Sequence, residues 1–253
     1  MSDYHSHHKS EWQCVDESLG TTRFSDPGSP GAPALLYPVE VECGQLCKIG
    51  YTHNTEPSCS VCTKLGSKGD VFVRWGSMTC PDTANKVYHG MAANAHHGNR
   101  GGGHNYICMM ENPTYLTHDE GNNEGGHLYS VEYQSLTHVG GTTPENSEMA
   151  CAVCESKVQG TTYTQWGRYE CPDEYTEHVS GYMMSAHHGH YRTEHICVDR
   201  SFGSHPWGKT DNQDHSLLYP VEIDCYNPVL CGSKTGYQKD YEITCSICTK
   251  PLS

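Results

Sequence analysis

The chain has 253 residues, 35% of them hydrophobic and only three of them Phe, with a formal charge of −14 when its 18 His are neutral. That balance disfavours nucleic acid as a partner, no apolar run reaches membrane-spanning length, and a core so thin needs covalent support. Fifteen Cys can supply it as disulfides, which implies an oxidising, extracellular destination. The N-terminal MSDYHSHHKSEWQC has no apolar h-region, so secretion is inferred from the cysteines and not from a leader.

Residues 1–34 read as a flexible polar leader carrying His5, His7, His8 and Cys14 and closing on two Gly-X-Pro triplets, Gly28–Pro30 and Gly31–Pro33. Two triplets are too few for a triple helix, and a Pro/Gly linker is the plainer reading. Residues 35–63 form a partial repeat, with the strand-like LLYPVEVEC and a CxxC at Cys59 and Cys62. Residues 64–154 form a first β unit with DVFVRW, a Trp75-Gly76…Cys80-Pro81 block, GMAANAHHG, NYIC, LYSVEY and the CxxC Cys151–Cys154. Residues 155–253 repeat it with TTYTQW, Trp166-Gly167…Cys171-Pro172, GYMMSAHHGH, EHIC, LLYPVEIDC and Cys245–Cys248. Trp75 and Trp166 stand 91 positions apart, and the other motifs recur close to that phase. Self-similarity at such a period marks a tandem array.

Strand runs of five to eight residues lie between Gly-, Asn- and Pro-rich turns, and no segment keeps a 3.6-residue period for three turns. The expected fold is all-β and disulfide-rich, with two homologous β units behind an N-terminal partial repeat. Pro38 and Pro220 are expected at strand starts or edges. The alternations Val39-Glu40-Val41-Glu42 and Val221-Glu222-Ile223-Asp224 suggest half-buried strands. Trp75 and Trp166 are expected to anchor each unit's core, and Trp207 to lie at the surface.

The middle copy lacks the first cysteine pair of the other two, and residues lost together are most simply residues bonded together. Cys43–Cys47 and Cys225–Cys231 are therefore expected as local bridges. Cys59, Cys62, Cys80 and Cys108 remain in the first set and Cys151, Cys154, Cys171 and Cys197 in the second, with three pairings open to each four. Cys245 and Cys248 are the last pair, leaving Cys14 free, linked between chains, or paired across copies in a scheme that breaks the parity. A rival reading takes Cys43, Cys47, Cys59 and Cys62, and Cys225, Cys231, Cys245 and Cys248, as four-thiolate zinc ribbons. It has to explain why the middle CxxC persists without a first pair.

The duplicated His96-His97-Gly98 and His187-His188-Gly189-His190 are the strongest site candidates. They could hold metal if His89 and His104, or His178 and His195, came to their aid. They could equally form, with the leader histidines, a diffuse surface that hydrogen-bonds silicic acid and shuttles protons in its condensation. Protonation of 18 His added to −14 would give +4, so assembly could respond to pH as imidazole titrates. No hydrolase triad, nucleophile elbow or phosphate loop is present, and no Asn-x-Ser/Thr lacks a central Pro. Neither an enzyme nor a cofactor is expected.

The ordered series Arg74-Trp75-Gly76 with Cys80-Pro81, Asn105-Tyr106-Ile107-Cys108, Cys151-Ala152-Val153-Cys154, Trp166-Gly167-Arg168 with Cys171-Pro172, Gly181-Tyr182-Met183, His188-Gly189-His190 and Leu218-Tyr219 through Cys248 resembles the noncollagenous domain of sponge short-chain collagens (spongin-type proteins). The resemblance covers about residues 35–250 and implies a secreted matrix protein without catalytic residues. The chain departs from the family in lacking a long Gly-X-Y tract, which removes the basis for collagen-type trimers. Its histidine content points further, to glass-sponge spicule axial-filament proteins of the hexaxilin type. The expectation is a self-assembling structural protein that scaffolds biosilica, with itself and silica as partners. The alternative is an extracellular metal- or glycan-binding module.

Overall fold

The computed structural model describes residues 9, 11–15, 38–42, 44–62, 66, 69–116, 125–140, 143–225, 231 and 235–252. These hold eleven strands and two short 3-10 turns, and no α-helix. The strands are β1 (Val39–Val41), β2 (Val71–Trp75), β3 (Ala84–Asn94), β4 (Ile107–Met110), β5 (Gly126–Tyr133), β6 (Ala150–Ser156), β7 (Gly160–Trp166), β8 (Thr176–Ser185), β9 (Ile196–Asp199), β10 (Ser216–Pro220) and β11 (Thr244–Pro251). All belong to one sheet, ordered β1-β5-β10-β8-β9-β2-β6-β3-β4, with β11 joined to β8 and β7 to β11. The protein is thus all-β, as expected.

Strands β2 to β6 and β7 to β11 are paired in the same way. β6 lies antiparallel between β2 and β3, and β11 antiparallel between β7 and β8. β3 also pairs β4 and β5, and β8 pairs β9 and β10. The two sets meet in a single sheet through the parallel contacts β5–β10 and β2–β9.

Strands β3 and β8, the longest, were not among the strand-like runs. Their apolar residues do not alternate, and each contains a glycine at the closest approach of two backbones. A Cβ built on Gly90 would fall 1.7 Å from the Met109 carbonyl oxygen, and one on Gly181 would fall 1.7 Å from that of Val198. Such close approach is a recognised use of strand glycine.

Six disulfides join described residues, each with Cα atoms 5.6–5.8 Å apart as bridge geometry requires. The expected groups (Cys59, Cys62, Cys80 and Cys108; Cys151, Cys154, Cys171 and Cys197; Cys245 with Cys248) are overturned: Cys80–Cys154 and Cys108–Cys151 close strands β2 to β6, and Cys171–Cys248 and Cys197–Cys245 close β7 to β11 in the same pattern. The two Cys of a CxxC three residues apart on an extended strand are too distant to bond to each other, so each bonds to an earlier Cys of its own strand set. Cys225–Cys231 is the expected local bridge. Cys47 is also disulfide-bonded, while its expected partner Cys43 lies outside the described residues. With the cysteines bonded in this way, the zinc ribbons are overturned.

Two further cysteine expectations are corrected. Cys14 is bonded to Cys59, and among the described residues the free thiol is Cys62, which is exposed. The reason lies in recurring sequence motifs. Glu11-Trp12-Gln13-Cys14-Val15-Asp16 matches Glu194-His195-Ile196-Cys197-Val198-Asp199 in four of six residues, so Cys14 takes the place of Cys197 and Cys108. Cys62 corresponds to Cys154 and Cys248, whose partners sit in Trp-Gly…Cys-Pro blocks. Residues 35–63 contain no such block.

The core gathers both sets of strands. Trp75, Tyr133, Met149, Met184, Val198, Phe202 and Leu218 pack in one buried cluster, and Phe72, Val179 and Ile247 pack around bonded Cys154, Cys197 and Cys245 in another. Trp75 is 7% exposed, covered by its pairing with Val198 and by Tyr106 at 6.4 Å. Trp166 is 40% exposed and so does not anchor a second core, because β7 has β11 as its one strand neighbour among the described residues. Trp207 is exposed, as expected. Pro38 precedes β1, but Pro220 closes β10 opposite Met184 instead of opening a strand. Glu40 is fully buried and not half-exposed, because β5 lies alongside it with His127 opposite.

Candidate functional site: a histidine and tyrosine surface

Strands β3 and β8 both run out into an Ala-His-His-Gly turn, and the turns fold alike. The Gly98 amide donates to Nδ1 of His96 at 3.0 Å, and the Gly189 amide donates to Nδ1 of His187 at 3.1 Å. An imidazole that accepts at Nδ1 carries its proton on Nε2 when neutral. His97 has the opposite tautomer: its Nδ1 lies 3.0 Å from the His215 carbonyl and must donate, leaving Nε2 as an acceptor. When neutral, the imidazoles of this surface therefore present both hydrogen-bonding senses.

The two turns converge. His97 lies 4.7 Å from His190 between ring centroids, and His190 lies 5.2 Å from His187. His96 stacks on His97 at 4.4 Å and His187 on His188 at 4.0 Å. Tyrosines flank both ends, with Tyr129 at 5.2 Å from His96 and Tyr219 at 5.2 Å from His187. His215 extends the row beside Tyr129 at 5.5 Å. Backbone bonds fix the arrangement: the His97 amide donates to the His215 carbonyl at 3.0 Å, and the Tyr191 amide donates to the His97 carbonyl at 3.4 Å.

Burial, followed by the proximity of His97 and His215, lowers the His96 pKa to about 4. Burial also lowers His190 and His215, with His97 and His187 adding to the effect at His190. His190 Nδ1 is buried without a hydrogen-bond partner. His178 and His205, both buried elsewhere, are lowered as well. Five of the 18 His are thus held below their ordinary pKa, which works against a full swing to +4 in mild acid.

The metal helpers do not arrive. His178 is a satisfied core residue, with Nδ1 2.8 Å from the Thr83 hydroxyl, Nε2 2.7 Å from the Thr249 hydroxyl and its ring on Phe72. His89 faces Glu111 at 3.5 Å, and buried His205 donates to the same carboxylate at 2.9 Å. His195 lines a different groove, and the His104 carbonyl receives the Glu194 amide. Among the described residues no three His, Cys, Asp or Glu are grouped to hold a metal ion. His5, His7 and His8 lie outside the described residues.

Of the predicted site residues, His96, His97, His187, His188 and His190 are brought together. Tyr129, Tyr219 and His215 join them without having been singled out. The tyrosines occupy equivalent places in LYSVEY and LLYPVEID, so aligning the repeats would have flagged them. His215 has no counterpart that could have done so. A second feature is a groove of about 420 Å³ between β2 and β7, with Trp75, Tyr106, Tyr163 and Trp166 on its walls beside Glu194 and His195.

No protein-family model matches the chain, and no curated protein and no solved structure matches it.

Proposed function

We propose that this is an extracellular structural protein whose imidazole and tyrosine surface contacts silica, acting as a scaffold and not as a catalyst. The observation that carries the reading is the meeting of the two His-His-Gly turns at His97 and His190. Two turns far apart in sequence become one surface offering N–H donors and a bare nitrogen acceptor. A silanol, which is both donor and acceptor, matches such a surface. Six disulfides among the described residues support an oxidising destination. No helix among the described residues is long and apolar enough to cross a membrane. Kinship with the sponge matrix family and the division into one partial and two complete units belong to the same proposal, resting on the ordered motifs and the repeated pairing. Self-association completes it.

The test uses exposed residues that the fold does not need. His187→Ala/His188→Ala protein, checked by circular dichroism to be folded, is compared with wild type in dilute silicic acid. Slower silica deposition supports the proposal, and wild-type deposition refutes it. The groove favours a second reading, a glycan-binding module, because aromatic walls with carboxylate and imidazole edges suit sugar rings. Saturable binding of an oligosaccharide, lost in Trp166→Ala, would establish that reading instead.

A further inference from the structure

The contact between β1 and β5 is reproduced by the contact between β5 and β10. Val39, Glu40 and Val41 pair in parallel with Gly126, His127 and Leu128. Val131, Glu132 and Tyr133, their counterparts one copy later, pair in parallel with Ser216, Leu217 and Leu218. The register is the same, and so is the flanking bond: the Glu42 amide donates to the Leu128 carbonyl at 3.0 Å, and the Gln134 amide to the Leu218 carbonyl at 2.9 Å. Each Val-Glu-x segment thus receives the leading residues of the next copy's strand along its outer edge.

The third such segment, Val221-Glu222-Ile223, is built in the same way on its inner edge. The Ile223 amide donates to the Tyr241 carbonyl at 3.0 Å, as Tyr133 does to Ser147 and Val41 to Thr55. The return bonds come from Asp240, Asn146 and Asn54, which share φ values of 61°, 60° and 55°. Its outer edge differs. Glu40 and Glu132 are 0% exposed, whereas Glu222 is exposed and Val221 and Ile223 are half-buried. No parallel strand lies beside it among the described residues. The inner bonds are made by Val221 and Ile223, on either side of the Glu222–Glu242 bridge. The N–H and C=O of Glu222 therefore face outward.

We infer that this edge receives residues 34–36 of a second copy of the chain. The occupant follows from sequence identity and an existing contact. Leu35-Leu36-Tyr37-Pro38-Val39-Glu40 is identical to Leu217-Leu218-Tyr219-Pro220-Val221-Glu222, and it is Leu217-Leu218 that β5 already accepts. Residues 34–37 lie outside the described residues, so the equivalence is one of sequence. The register sets Val221 opposite Ala34, Glu222 opposite Leu35 and Ile223 opposite Leu36, continuing the array across molecules. A head-to-tail contact of this kind is heterologous and yields an open fibre or a closed ring, with affinity from main-chain hydrogen bonds. The inference rests on the self-association part of the proposed function and is independent of silica.

The test is sedimentation velocity on the full chain over a range of concentrations, without silicic acid. Glu222→Pro removes the outward N–H and spares the inner bonds, while Leu36→Arg spoils the incoming strand. Wild type should grow with concentration and each variant should stay monomeric. A 1:1 mixture should stop at the dimer, since it contains one intact donor and one intact acceptor. A peptide of residues 33–38 in excess should shorten wild-type assemblies, and a scrambled peptide should not. If a variant fails to fold, the peptide arm on wild type decides. Monomeric wild type, variants that assemble normally, or a peptide without effect would overturn the inference. Assembly that persists in His187→Ala/His188→Ala protein while silica deposition changes keeps the two proposals separable.

Discussion

Glu132 and Glu148 face each other across an antiparallel bridge with both side chains wholly buried. Together they hold the loop that leads into β10. Glu148 Oε2 accepts the Lys209 amide at 2.6 Å, and Glu132 accepts the amides of Gln213 at 3.2 Å and His215 at 3.3 Å. Glu148 Oε1 is buried without a hydrogen-bond partner. Burial, with the nearby charges of Glu132 and Asp211 adding to it, raises the Glu148 pKa to about 7, and burial raises Glu132 as well.

A raised carboxyl pKa means that the folded state holds more protons than the unfolded one. This pair therefore makes the protein less stable as pH rises from 4.5 to about 7. Glu148→Gln keeps an acceptor for the Lys209 amide and removes the titration. Urea unfolding should show it more stable than wild type at pH 8, by no more than about 3 kcal/mol, with little difference at pH 4.5. A variant less stable than wild type at pH 8 would contradict the assignment.

His96 acts with the opposite sign. With its folded pKa near 4 against 6.5 for the free side chain, the unfolded chain takes up the proton first, and stability is lost as pH falls below 6.5. A nitrogen-detected histidine titration should find His96 neutral at pH 5 and protonated on Nε2 alone. An imidazolium at that pH would show that the turn is not packed as described.

Cys62 should be the single thiol that reacts with a maleimide under native conditions. Cys62→Ser should abolish labelling and change stability by less than about 0.5 kcal/mol, as exposed substitutions usually do. Cys14→Ser should expose a second thiol at Cys59. Mass mapping of the labelled peptides checks both, and labelling at Cys14 in wild type would reverse the pairing.

Gly90→Ala and Gly181→Ala should each destabilise by about 3 kcal/mol or more, because the added methyl meets a backbone oxygen that cannot swing aside. Gly66→Ala, with nothing within 4 Å of the new Cβ, meets no such clash, and its cost comes from its positive φ alone. Equal losses at Gly66 and Gly90 in thermal unfolding would argue against the close approach of β3 and β4.

Recurring motifs carried most of what could be read from the sequence. They set the all-β class, the Cys225–Cys231 bridge and the two His-His-Gly turns, because strand runs and cysteine spacing are local signals. β3 and β8 escaped because their burial comes from neighbours on both sides, so their apolar residues do not alternate. Glu40 and Glu132 escaped for a related reason: only the arrival of the next copy's strand makes an acidic position interior. Cys14 was misassigned because its motif match to Cys197 lies inside a leader that looks featureless, with few apolar residues to mark a strand. The convergence of His97 and His190 depends on how β3 and β8 are placed across the sheet, which no local pattern encodes.

The disulfide map also governs how the molecule would bear tension. Cys80–Cys154 and Cys171–Cys248 span 74 and 77 positions, and among the described residues no bridge runs from the 71–156 set to the 160–251 set. A load on the two ends would fall on the non-covalent contacts between these sets, the short parallel pairs β1–β5, β5–β10 and β2–β9 and the core packed behind them. Those contacts can part and re-form, while each long bridge keeps about 250 Å of chain from paying out. A fibre of such molecules would give at its joints in short, recoverable steps before any single link unravelled.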